Sequence, residues 1–145
     1  LLMPEGTITK VAPDADASAD IARGRDLIRA LSPFDVGQAV VVIDGHVIGV
    51  EGIEGTDALL QRIVQLRRDG RIRAKAGRGV LVKSPKTAQD LRLDLPTLGP
   101  VTIDGVVAAG LAGIGIVAGH TLVADPEATV TKADRAGLFV TGLPL

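Results

Sequence analysis

The stretch "AVVVIDGHVIGVEGIEGTDALLQR", residues 39–62, decides the fold of this chain. Two β-branched runs lie on either side of Asp44-Gly45, and this dipeptide between apolar runs is the strongest short-range signal for a hairpin. After a loop, Thr56 can cap a helix with a leucine- and isoleucine-rich buried face that ends before Gly70. The stretch therefore predicts an antiparallel hairpin followed by a helix.

The flanking sequence supplies further helices and strands. Ser18 can cap a helix that ends before Pro33, Thr102 can cap another, and Asp125-Pro126 can open one that stops at Gly137. Three apolar runs are typical of buried strands: "GVLVK", "GIGIVA" and "LFVTGL". Together these patterns predict an α/β or α+β domain, in which about four helices pack on a mixed β-sheet that contains the hairpin.

Residues 1–17 differ from the rest of the chain. They hold two prolines, several acidic residues and no sustained period, so they are predicted to be a linker or an arm that precedes a single domain at 18–145. The chain starts with leucine instead of methionine, which suggests a piece of a longer protein.

Composition excludes several classes of site. The chain has no cysteine, so disulfides, thiolate metal sites and cysteine nucleophiles are excluded. Phe34 and Phe139 are the only aromatic rings and the net charge is −1, which argues against nucleic acid as a partner. His46 and His120 are too distant in sequence to indicate a zinc site or a catalytic triad.

An acidic, glycine-flanked segment from Glu51 to Asp57 stands where a strand should lead into a helix. Free N–H groups at a helix start bind phosphate, and carboxylates such as Glu54 and Asp57 could hold phosphate through Mg²⁺. On the motif alone, an ordinary capped helix, for which Thr56 and Asp57 suffice, is the favoured interpretation.

A second candidate is "QDLRLDLPTLGP", residues 89–100. If this run is extended until Pro96, then Asp90, Arg92 and Asp94 share one face and leucines occupy the other. The charged face is either a surface ladder of ion pairs or a metal- or water-orienting carboxylate beside an arginine for phosphate, and spacing alone favours neither.

Lys83 and Lys86 end a basic run that begins near Gln61. Most of that run is explained by a solvated helix face and loop. These two lysines lie just upstream of the charged face, where they could meet a diphosphate or an anionic membrane surface.

Four blocks in order resemble the C-terminal half of the LpxI-type UDP-2,3-diacylglucosamine pyrophosphatases of lipid A biosynthesis: "GQAVVVIDGHVIGVEGIEGTDALLQR", "LVKSPKTAQDLRLDLPTLGPVT", "AGLAGI" and "GLFVTG". The resemblance implies Mg²⁺-dependent hydrolysis of UDP-2,3-diacylglucosamine to lipid X and UMP by attack of water on the diphosphate. The implied location is the cytoplasm of a Gram-negative bacterium, in peripheral contact with the inner membrane.

The resemblance also assigns roles to single residues. Asp94 aligns with the catalytic aspartate of the family's D-L-P-T-[IL]-G motif, and Asp94, Glu54 and Asp57 are the implied metal ligands. The implied substrate- or phosphate-binding residues are Thr56, Lys83, Lys86, Gln89, Arg92 and Thr97.

The family joins this half to an N-terminal domain, and its substrate lies between the two. That half is absent from residues 1–145, so we expect the piece alone to have little or no hydrolase activity. A homodimer is compatible with the sequence. The alternative function is a phospholipid- or nucleotide-binding module without catalysis, which would use the same acidic and basic residues.

Overall fold

The structure is a computed structural model that describes residues 1–85 and 95–145. Within these ranges the helices are α1 (Ala15–Leu31), α2 (Thr56–Arg68), α3 (Pro100–Ala108) and α4 (Pro126–Ala136), and a short 3-10 turn covers Ser32–Phe34. The strands are β1 (Gly6–Thr7), β2 (Ala39–Ile43), β3 (His46–Val50), β4 (Val80–Lys83), β5 (Thr97–Leu98), β6 (Gly113–Val117), β7 (Leu122–Val123) and β8 (Phe139–Leu143).

In the described ranges six strands form one mixed sheet in the order β1-β8-β6-β4-β2-β3. The central strands β4, β6 and β8 are parallel, whereas β2 is antiparallel to both of its neighbours and β1 is antiparallel to β8. A separate parallel pair joins β5 to β7. The predicted α/β class, with a hairpin in a mixed sheet and four helices, is confirmed.

Helices cover both faces of the sheet. Val40 and Val42 of β2 pack with α1 in one apolar cluster, whereas Val41 and Ile43 belong to the larger cluster that contains residues of α2, α3 and α4. Every residue of β2 is buried. A strand covered on both faces has no solvent-facing positions, which explains the unbroken apolar run "AVVVI".

The predicted hairpin joins β2 to β3. Asp44 and Gly45 have φ values of 49° and 80°, as the two central residues of a type I′ turn require. The carboxylate of Asp20 in α1 accepts hydrogen bonds from the backbone N–H groups of Asp44 at 3.0 Å and of Gly45 at 2.7 Å. The turn is therefore fixed to the helix beneath it.

The predicted starts of the first and third helices are wrong. The first helix begins at Ala15, because Asp14 rather than Ser18 caps it by accepting from the Ala17 N–H at 2.8 Å. The third begins at Pro100, where Gly99 is the N-cap and Thr102 lies inside the first turn. Proline suits the first helical position, since its fixed φ fits a helix. An N–H group at this position would have no acceptor within the helix, so its absence costs nothing.

The fourth predicted helix is confirmed at both ends. Asp125 accepts a hydrogen bond from the Ala128 N–H, and Gly137 ends the helix with a φ of 71°. No helix in the described ranges is long and apolar enough to cross a membrane.

Part of the segment predicted to be a linker or arm contributes to this domain. Met3 is 1% exposed and its N–H donates to the Thr121 carbonyl at 2.8 Å. Gly6 and Thr7 pair with β8 and extend the sheet by one strand.

Candidate functional site

Three strands place a row of residues at one edge of the sheet. Ala39, the first residue of β2, pairs with Lys83, the last residue of β4. On the other side of β2, the Glu51 N–H donates to the Ala39 carbonyl at 2.9 Å, directly after β3 ends. The helix α2 begins five residues after Glu51, so its free N–H groups lie at this edge.

Lys83 is the buried cation of this edge, with 7% of its surface exposed. Burial lowers the pKa of its ammonium below the usual value, and the negative charges of Glu51 and Asp57 act in the opposite direction. None of the ion pairs among residues 1–85 and 95–145 includes Lys83. A buried ammonium with two carboxylates nearby is suited to contact an anionic ligand or to complete a charged cluster.

Thr56 does not cap α2, contrary to the prediction. Gly55 occupies the N-cap position, with a φ of 89°, and Thr56 is the first helical residue. The Thr56 hydroxyl instead donates to Oε2 of Glu51 at 2.9 Å, across the loop that joins β3 to α2. This hydrogen bond turns the Glu51 carboxylate toward the start of α2.

Asp57 joins the starts of two helices. The hydroxyl of Thr102, in the first turn of α3, donates to Oδ1 of Asp57 at 3.3 Å. Thr102 is 7% exposed, whereas Asp57 is exposed and can accept a ligand from solvent. The first turns of α2 and α3 therefore meet at the edge that Lys83 occupies.

Glu54 lies on the exposed side of the same loop. Its Oε1 accepts from the Gly52 N–H and from Nη2 of Arg62, both at 3.2 Å. The pKa of the Glu54 carboxyl is lowered mainly by a hydrogen bond from its own backbone N–H, and next by the one from Gly52. The positive charge of Arg62 lowers it further. Glu54 thus already has a cationic partner, which distinguishes it from Glu51.

Glu51, Glu54 and Asp57 supply carboxylate oxygens, the ligand type that Mg²⁺ prefers, within one loop and helix start. Within residues 1–85 and 95–145, no group of three or more His, Cys, Asp or Glu side chains is close enough to form a metal site. Asp94, which completes the predicted ligand set, lies outside the described residues. The assignment of Glu54, Asp57 and Asp94 as ligands stays a prediction.

The remaining predicted residues divide into two groups. Thr97 is an exposed residue of β5, two positions before the N-cap of α3. It pairs with Leu122 of β7. The residues that lie outside the described part of the chain are Lys86, Gln89, Arg92 and Asp94. The structure therefore brings Thr56, Asp57 and Lys83 to one edge.

The sequence assigns no role to Ala39, indicates Glu51 only as the first residue of the acidic segment, and predicts Thr102 only as a helix cap. Glu51 directly follows a strand, which the sequence shows, but only the strand register places it in one row with Ala39 and Lys83. Thr102 was predicted to be a cap, and its hydroxyl contacts Asp57 from a position three residues past the N-cap.

A larger open groove lies elsewhere on the described part of the chain. It has a volume of about 650 Å³ and lies beside the hairpin, where His46, Arg71 and Arg73 contribute to its lining. None of the predicted site residues lines it. The row formed by Glu51, Ala39 and Lys83, at the carboxyl ends of β3 and β4, is therefore the better candidate, since it combines buried charge with two helix starts.

Known proteins are similar to the chain over nearly its whole length. The family described as "LpxI C-terminal domain" matches residues 4–141 of the chain. The UDP-2,3-diacylglucosamine pyrophosphatase LpxI of Caulobacter vibrioides is 46% identical over 143 residues, which are 99% of this chain and 51% of that protein. The chain thus spans about half the length of this curated relative.

Proposed function

The chain belongs to the LpxI C-terminal domain family, and we propose that it is the C-terminal half of a hydrolase that cleaves the diphosphate of UDP-2,3-diacylglucosamine in lipid A biosynthesis. The products would be lipid X and UMP. The family resemblance of the sequence is confirmed, and the relative named for this pyrophosphatase shares 46% of its residues with the chain over the aligned length.

One observation carries the proposal: Lys83 is buried at the carboxyl end of β4, within the electrostatic reach of Asp57 at the start of α2, and Asp57 is joined to the start of α3 by Thr102. A diphosphate linkage is anionic, and hydrolysis adds charge at the phosphate oxygens in the transition state. A desolvated ammonium stabilises such charge more strongly than an exposed one, because water screens it less. The free N–H groups at the two helix starts add fixed positive dipoles.

We assign each of the predicted residues a role in this reaction. Lys83, with Lys86 and Arg92, would bind the phosphate oxygens, and Thr56, Thr97 and Gln89 would orient them. Asp94 would hold the attacking water, and Asp94, Asp57 and Glu54 would hold Mg²⁺. A bound Mg²⁺ would neutralise phosphate charge and polarise the scissile linkage.

The lipid part of the substrate sets the expected location. A diacylated sugar nucleotide resides in a bilayer, so we propose a cytoplasmic protein in peripheral contact with the inner membrane. The other half of the protein is its first partner, because the relative has about as much sequence outside the match as inside it.

The test is release of UMP from UDP-2,3-diacylglucosamine by the complete product of the gene that encodes this chain, with Mg²⁺ and with EDTA. We expect turnover with Mg²⁺ only, and little or none from residues 1–145 alone. Asp94→Ala should abolish kcat with substrate still bound, whereas Asp26→Ala, which removes an exposed carboxylate of α1, should match the parent. Binding without any turnover by the complete protein would instead indicate a binding module.

A further inference from the structure

Strand register places Glu51 and Lys83 on the same face of the sheet. Val40 is opposite Val50, so Ala39 is opposite Glu51, and Ala39 is also opposite Lys83. Directly opposed residues on neighbouring strands point to the same face. The two charged residues are therefore separated by one strand, about 10 Å between Cα atoms.

The residue between them is small and faces the same helices. Ala39 is fully buried in the cluster that contains residues of α2 and α3. Its single methyl group leaves space above the row. The four-carbon side chain of Lys83 and the carboxylate of Glu51 can therefore approach each other over Ala39.

Glu51 is held more firmly than an ordinary loop residue. Its N–H bonds to Ala39, and its Oε2 accepts from the Thr56 hydroxyl. The chain at Gly37 packs directly on it, because a Cβ at Gly37 would lie only 2.2 Å from the Glu51 carbonyl oxygen. Among the described residues, Oε1 of Glu51 has no hydrogen-bond donor, so this oxygen is available to a cation.

We propose that Glu51 is a positioning residue, which holds the Lys83 ammonium over Ala39 at the starts of α2 and α3. Its use in phosphate binding rests on the proposed function, whereas the positioning itself is a property of this chain. Of the two carboxylates that act electrostatically on Lys83, Glu51 has the larger effect. Glu54 has a different role, since it pairs with Arg62.

The direct test is NMR of the chain with ¹³C,¹⁵N-labelled lysine, in which Lys83→Arg assigns the Lys83 signals. Glu51→Gln keeps the shape of the side chain and an acceptor for Thr56 but removes the charge. We expect the Lys83 Cε and Nζ signals to move more than those of any other lysine, and the order parameter of its ε-methylene to fall. Glu5→Gln, which removes the charge of an exposed glutamate, should leave Lys83 unchanged.

Unchanged Lys83 signals in a folded Glu51→Gln protein would overturn the proposal. If Glu51→Gln does not fold, Thr56→Val is the second variant, because it frees the carboxylate without removing its charge. The same Lys83 signals should then shift by a smaller amount, and their constancy would also overturn the proposal.

A kinetic test separates this inference from the proposed function. In the complete gene product, Glu51→Gln should lower kcat for UMP release roughly tenfold or more with KM little changed, since a misplaced charge costs mostly transition-state stabilisation. If no form of the protein releases UMP but the Lys83 signals move, the proposed function fails and the positioning role stands. If UMP is released and Glu51→Gln changes neither kcat nor the Lys83 signals, the positioning role fails alone.

Discussion

The hydroxyl of Thr102 on α3 donates to the carboxylate of Asp57 on α2, at 3.3 Å. The two residues are 45 positions apart in sequence, and each lies in the first turn of its helix. One side-chain hydrogen bond therefore fixes the two helix starts relative to each other. The free N–H groups of the first turns of α2 and α3 thus lie together near the carboxyl end of β4, where Lys83 is.

Thr102→Val should weaken this connection without changing the shape of the side chain. We expect the free energy of unfolding to fall by about 1 kcal/mol, because a buried hydroxyl and its bond are lost. Urea denaturation followed by circular dichroism measures it. Thr131→Val, at an exposed position of α4, is the control and should change stability by less than half as much. Equal effects of the two substitutions would contradict the assigned contact.

Asp20→Ala should destabilise the hairpin. The Asp20 side chain is 3% exposed and both of its oxygens accept from backbone N–H groups of the turn. Removing it leaves two donors without their acceptor, so we expect a loss of about 2 kcal/mol or more. Thermal and urea unfolding measure the change. Asp26→Ala, on the exposed side of the same helix, should lower the free energy of unfolding by about 0.5 kcal/mol at most, since its ion pair with Arg29 is solvent-exposed.

Arg67→Met should destabilise the region where α3 ends. The Arg67 guanidinium donates to the carbonyls of Ala109 at 2.6 Å, Ala74 at 2.9 Å and Gly110 at 3.3 Å. It thus satisfies carbonyls that the helix end leaves free and pins the α2–β4 connection to them. We expect a loss of about 2–3 kcal/mol, because the donor is charged and partly buried.

Two further variants make the Arg67 experiment specific. Arg68→Met removes the same charge at the exposed neighbouring position and should be nearly neutral. Arg67→Lys should recover only part of the lost stability, because an ammonium cannot reproduce the planar fork that reaches three carbonyls. Full recovery by lysine would show that charge alone matters there.

Local chemistry made part of the fold predictable. The Asp44-Gly45 turn and the helix between Asp125 and Gly137 depend on residues within a few positions of each other, and both occur where the sequence indicates. Strands β4, β6 and β8 were also predictable, since buried parallel strands are continuous apolar runs.

The composition of the site depended on contacts that are distant in sequence. Thr56 and Thr102 have the residue type of helix caps, but each hydroxyl donates to a carboxylate that the fold brings near it. Glu51 and Glu54 are both acidic residues of one loop, and only the pairing of β2 with β3 and β4 distinguishes them. Tertiary packing decides such choices, so a single sequence leaves them open.

The buried ammonium of Lys83 should reduce stability at neutral pH. Its pKa in the folded chain is lowered by burial, whereas in the unfolded chain it has the ordinary value of about 10.4. At pH values between these two pKa values, the unfolded state therefore binds more protons than the folded state. The free energy of unfolding consequently rises with pH across this range. Below the folded pKa the charged form imposes its full cost.

Lys83→Met should consequently raise the free energy of unfolding at pH 7, by about 1 kcal/mol, because a thioether fills the space without desolvation of a charge. The advantage over the parent should shrink as the pH rises toward 10, since the parent lysine then loses its proton. Urea denaturation of both proteins at several pH values measures this difference. Lys132→Met, which removes a partly exposed lysine paired with Asp104, should give no gain and no such pH dependence. If Lys83→Met is less stable than the parent at pH 7, then Glu51 and Asp57 more than offset the cost of burying the ammonium. If Lys83→Met is more stable but the complete gene product with this substitution no longer releases UMP, then the Lys83 charge serves function at the expense of stability.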